Sequence, residues 1–125
     1  MALESNGIDV GFLTATTDLS AKQFYAVQMS TVDLQVSLVS STTGGMMGVL
    51  QNKPSSGQAA SIRIFGVSKV SVGVGGFTPG MLLQCSTAGD FIAYTSGPKV
   101  GESLVTASSG NIGTMRIIPS QSRTT

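Results

Sequence analysis

The 125-residue sequence has no histidine, no tryptophan and a single cysteine, and only 10% of its residues are charged. Each shortage removes a class of chemistry. Without histidine there is no Ser-His-acid triad and no Cys-His pair, and one cysteine supports neither a thiolate zinc site nor an intrachain disulfide. Cys85 is then expected to be a small buried hydrophobe, and nothing here requires an oxidising compartment. The six carboxylates, Glu4, Asp9, Asp18, Asp33, Asp90 and Glu102, lie in turn-rich stretches or near the N-terminus, with no pair set up as acid and base. Gly73–Gly80 lacks GxGxxG spacing, and Gly44, Gly45 and Gly48 lack the Lys-Ser/Thr of a phosphate cradle. An enzyme is not expected, and neither is a cofactor or metal.

Partners are bounded in the same way. Seven Lys and Arg against six Asp and Glu leave a net charge of +1, and the cations are scattered, whereas tracking phosphates requires them clustered. Seven aromatics without tryptophan make a poor platform for bases or sugars. No apolar run approaches the length of a membrane helix, and the first ten residues lack the basic-then-apolar order of a secretory signal. A soluble protein that stays where it is made follows as the expectation, with no nucleic acid and no membrane as partner.

What is present is small and hydroxylated: 18 Ser, 13 Thr and 16 Gly, beside 41% hydrophobic residues. So little charge leaves a surface suited to being covered by another chain. One phrase occurs twice. SSGQAASIRI (55–64) returns 53 positions later as SSGNIGTMRI (108–117). In each copy a Ser-Ser-Gly turn, with Gly57 or Gly110 free to take positive φ, leads into a strand alternating Ser/Thr and Arg outward with Ile/Met inward. The phrase reads as a hairpin used twice, placed on opposite sides of one core. Pairing Arg63 with Arg116 as an anion site is the functional alternative; an outward strand arginine is more often solvated or in a surface ion pair.

Alternation is clearest over Ser61–Val74, where Ile62, Ile64, Val70, Val72 and Val74 share one parity. Phe65 and Val67 fall on the other, so either Gly66 bends the strand or another chain covers them. Further strands are expected at Phe24–Met29, Leu34–Val39, Met46–Gln51, Met81–Cys85, Phe91–Thr95, Glu102–Thr106 and Ile112–Ile118, separated by turn clusters. Asp18–Phe24 is the one stretch compatible with a helical turn. The fold class is all-β, a small barrel or sandwich of short antiparallel strands over residues 18–119. Residues 1–17 carry isolated apolar side chains without a period and read as an extended N-terminal arm, with a frayed terminus or an edge strand as the plainer alternative, and 120–125 as a polar tail.

Several phrases in order resemble a known family. They are Thr17-Asp-Leu-Ser-Ala-Lys-Gln-Phe-Tyr-Ala-Val27, Gly48-Val-Leu-Gln-Asn-Lys-Pro-Ser-Ser-Gly-Gln-Ala-Ala60, Gly66-Val-Ser-Lys-Val70, Thr78-Pro-Gly-Met-Leu-Leu83 and Ala107-Ser-Ser-Gly110. Together they resemble the DUF2190-type capsid decoration (cement) proteins of tailed bacteriophages, over about residues 14–118. The resemblance implies a compact β-rich protein without enzymatic activity, made in the bacterial host cytoplasm. It would bind the major capsid protein on the outer surface of the virion and stabilise the head, as a homo-oligomer with a trimer favoured. Contact candidates are Leu3, Ile8, Val10, Phe12 and Leu13 of the arm, with Phe65 and Val67. A tail or baseplate component is the rival structural reading, and a carbohydrate-binding module the rival of another class.

Overall fold

Alternating apolar and hydroxyl residues broken every few positions by Gly, Pro, Ser and Asp dictate strands too short to stand alone, which must curl around their own side chains to bury them. The structure, a computed structural model, describes residues 7–118. Its strands are β1 (Ile8–Ala15), β2 (Ala26–Met29), β3 (Gln35–Leu38), β4 (Gly48–Leu50), β5 (Ala59–Phe65), β6 (Val67–Ser71), β7 (Leu82–Cys85), β8 (Phe91–Ala93), β9 (Gly101–Ser103) and β10 (Ile112–Ile117). The expected all-β class holds. Gly66, at φ +106°, separates β5 from β6 where the alternation changes parity.

β1 is the main departure from the sequence reading. Instead of belonging to an arm, Ile8–Ala15 is a barrel strand, antiparallel to β5 and parallel to β3. Register shifts between Ile8 and Asp9 and between Val10 and Leu13 explain the missing period, because an inserted residue moves the following side chains to the opposite face. Asp18–Phe24 makes successive turns instead of a helical turn: the Asp18 carboxylate accepts the Ser20 N–H at 3.0 Å, and Lys22 N–H donates to the Leu19 carbonyl at 2.9 Å. Leu19 N–H donates to the Pro54 carbonyl, tying its buried side chain into the core.

The first five strands close into a barrel in the order β1-β3-β2-β4-β5. The second five form a sheet ordered β6-β10-β9-β7-β8, and a parallel bridge between Val72 and Phe91 joins its two ends. Read around the ring this is β6-β8-β7-β9-β10, the first barrel's order with every number raised by five. The registers agree as well: Val27–Gly48 matches Leu83–Gly101, Val49–Arg63 matches Glu102–Arg116, and Leu13–Ala60 matches Val70–Gly113. Even the turn bonds recur, with Gly57 N–H donating to Ala15 O as Gly110 N–H donates to Val72 O. The repeated phrase is thus the legible part of a whole-barrel duplication. Each hairpin closes its own barrel, and the two do not flank one core.

One seam differs between the barrels. In the first, Thr14 N–H donates to Leu34 O at 3.1 Å and Thr16 N–H to Val36 O at 3.0 Å, sealing β1 to β3. In the second, the equivalent Ser71 N–H turns instead to Phe24 O (2.9 Å), and Gly89 O accepts Ala26 N–H (2.7 Å). The Phe24–Ala26 backbone of the first barrel is wedged into that seam, leaving the Val72–Phe91 bridge behind it. Ala26, Val39, Met46 and Val49 accordingly bury their side chains in the second barrel's core, while Leu13, Val27, Val36, Leu50 and Ile62 fill the first barrel's own.

Candidate interaction surface

The apolar residues singled out in the sequence separate into three groups. Leu3 lies outside the described residues. Leu13 is a core residue, 3% exposed, and Val10 packs half-buried against that core; neither is available to a partner, because the bulge before Leu13 turns it inward. Ile8, Phe12, Phe65 and Val67 remain. Ile8 and Phe65 are cross-strand partners where β1 meets the end of β5, 56% and 49% exposed, and Val67, half-buried, follows across Gly66. Phe12 stands 69% exposed in the β1 bulge.

Arg63 holds the Ile8–Phe65 end together. Its Nε donates to Asp9 Oδ1 at 2.9 Å and its Nη1 to the Val67 carbonyl at 3.0 Å, so one mostly buried guanidinium ties β1, β5 and the start of β6. Arg116 pairs instead with Glu102 at 3.0 Å on the surface, a contact worth about 0–1 kcal/mol. Each arginine is thus matched to a carboxylate of its own barrel, which disfavours the paired anion site.

Sequence reasoning missed a second apolar area. Met29, Val32 and Leu34, on the β2–β3 hairpin and its tip, are all exposed, and so are Met81 and Leu82 at the start of β7. The available signal was an apolar residue at a turn: Leu34 takes φ +59° where the duplicate position is Gly89, at +86°. A branched side chain in that region costs about 1 kcal/mol, so Leu34 is held there against its own preference.

Solved structures provide the comparison. Over 94% of this chain and all of the other, the fold superposes with a TM-score of 0.70 and 15% identity on a structure described as the head fiber gp8.5 N base in bacteriophage phi29. The fold is shared with a phage head fibre base. At that identity the likeness speaks for architecture alone. No family model matches the sequence, and no curated protein does.

Cys85, expected to be buried, is 2% exposed in the second barrel, and burial foremost, with the Asp90 charge behind it, pushes its thiol up to about 12. The thiolate is the reactive form. At pH 8 the folded protein is expected to resist a thiol-alkylating reagent that labels it fully in urea, so labelling rate reports opening of the second barrel. Because the folded value lies above the usual 9.0, this residue's contribution is intact below pH 9 and lost as pH rises toward 12.

Proposed function

We propose that this chain is a structural protein of a tailed-phage head, a decoration protein that binds the major capsid protein on the outer surface and stabilises the shell across seams between coat subunits. The observation that carries the reading is the fold likeness to a head-fibre base over nearly the whole chain; the ordered phrases resembling decoration proteins supply independent support. A filled head is under internal pressure, and its weak points are the joints between subunits. A rigid double barrel with an exposed apolar corner is suited to bridging such a joint, because it has little conformational entropy to lose on docking.

In this reading Ile8, Phe65 and Val67, with Phe12 along the same strand, contact the coat. Each exposed side chain fully buried there contributes roughly 1.5–3 kcal/mol. Low charge makes the attachment only mildly sensitive to salt. Multiple copies in a homo-oligomer, a trimer in the favoured form, multiply weak single contacts through effective concentration. No enzymatic step is involved.

The test is co-sedimentation of purified protein with DNA-filled heads and, separately, with tails. Binding to heads and not tails is expected; binding to tails alone would transfer the reading to a tail or baseplate component. Phe65→Asp and Phe12→Asp, both at exposed positions, are expected to lower head occupancy at least tenfold, equivalent to about 1.4 kcal/mol, without moving the melting temperature. These point variants are better probes than deleting the N-terminal stretch, which would remove Leu13 from the core.

A further inference from the structure

The contact joining the two barrels is asymmetric: Phe24–Ala26 of the first enters the seam of the second, and the tip beside that seam rests on the first. The β7–β8 tip of the second barrel rests against β2 and β3 of the first: Gly89 lies against the Leu38 side chain, which also packs on the first barrel's core, and the Val39 carbonyl, and its own carbonyl accepts Ala26 N–H. The duplicate tip, β2–β3 of the first barrel, is closed by a corresponding bond but is one residue longer: Ser30 N–H donates to Gln35 O where Ser86 N–H donates to Asp90 O, both at 2.9 Å. Its backbone bonds to β1 of its own barrel, Thr14 N–H donating to Leu34 O, while the Leu34 side chain is left 59% exposed. The surface equivalent to the receiving side, at Leu82, Ala93 and Tyr94 of the second barrel, is likewise uncovered at Leu82, 37% exposed. One donor and one acceptor are left over.

We infer that the β2–β3 tip of one copy docks on the β7–β8 face of a second copy, repeating between molecules the tip contact that Gly89 makes within one, without a counterpart of the Phe24 wedge, because Thr14 N–H already closes the β1–β3 seam on Leu34 O. Side-chain sizes support this. Inside the chain a glycine on the tip meets a leucine, Gly89 against Leu38; between chains the duplicate positions set a leucine on the tip, Leu34, against an alanine, Ala93. The combined bulk is similar with the large and small residues exchanged. Backbone groups match too. Leu82 N–H stands at the position of Ala26 N–H, and Leu34 O, which accepts from Thr14 N–H, has a second lone pair for it. The contact is heterologous, so it propagates head to tail into a ring or an open row.

This inference deepens the homo-oligomer reading above but rests on the barrel geometry and not on head binding; the experiment uses free protein, so its failure leaves head attachment untouched. Leu34→Asp and Leu82→Asp each remove one side of the contact at an exposed position. By light scattering on the full chain, the unmodified protein is expected above the monomer mass of 12.7 kDa, increasingly so with concentration, and each variant at 12.7 kDa with unchanged melting. Mixed in equal amounts, the two variants are expected to form a complex of twice that mass, because each retains the side the other lacks. An unmodified protein that stays monomeric, a single variant that still associates, or two folded variants that do not complement would each overturn it.

Discussion

Gly48→Ala and Gly101→Ala are each expected to destabilise the protein by about 3 kcal/mol or more, the upper end of what overpacking costs. The two glycines occupy the same position in the duplicated barrels, on β4 and β9, where the neighbouring strand approaches too closely for a side chain. A methyl at Gly101 would lie 2.6 Å from the Arg116 carbonyl oxygen and against the Met115 thioether; one at Gly48 would lie 2.7 Å from Ile62 Cγ2 and against the Arg63 carbonyl oxygen. Those oxygens belong to the pairing strands β10 and β5. Relief therefore requires the hairpin to spread, and spreading it opens the barrel. Gly11→Ala and Gly44→Ala, where an added methyl meets nothing within 4 Å, serve as matched controls and are expected to stay within about 0.5 kcal/mol of the parent. Urea unfolding of the four variants measures this. A Gly101→Ala protein as stable as the controls would mean that β9 and β10 are not as close as described.

The same pair of positions shows what a reader of the sequence is able to see. Gly48 and Gly101 lie in the two stretches that run into the repeated phrase, where 48–54 and 101–107 share only that glycine; the duplication survives in recognisable letters in the phrase itself, because turn and close-approach positions tolerate few residue types. Elsewhere the barrels are related only by direction of burial. Leu13 and Val70, Val27 and Leu83, Val36 and Phe91, Ile62 and Met115 share nothing but apolarity, since a barrel interior asks for volume and not identity. The strands were legible through alternation and turns, except β1, whose bulge cancels the pattern that would have revealed it. Of the contact candidates, Ile8, Phe12, Phe65 and Val67 were legible as apolar residues without an evident inward face. The Met29–Leu34 area was not, because an apolar residue in a positive-φ turn looks the same in sequence as the start of a strand. The wedge of Phe24–Ala26 into the second barrel leaves no local signal at all: it is a relation between two units, and each unit's own pattern is satisfied without it.

That wedge supplies the second large effect. Phe24 holds φ at +70°, its carbonyl accepts the Ser71 N–H of the second barrel, and its ring packs against that barrel's core with Lys69 Nζ 5.9 Å from the ring centre. The duplicate position is Gly80, at φ +86°. A left-handed aromatic is strained by about 1–2 kcal/mol, so the ring must return more than this by filling the joint between the barrels. Phe24→Ala keeps the backbone strain and loses the ring, and is expected to cost about 3 kcal/mol, the lower end for removing a phenylalanine because Phe24 is only partly buried. Phe24→Gly loses the same ring but relieves the strain, as the duplicate already does. Glycine is therefore expected to be more stable than alanine here by about 1 kcal/mol, the reverse of their usual order. Both variants should speed alkylation of Cys85, which lies in the barrel that the ring helps to close. If alanine proves the more stable of the two, Phe24 is not held left-handed in solution, and the Phe24–Ala26 segment does not enter the seam in the way that sets the barrels' relative position.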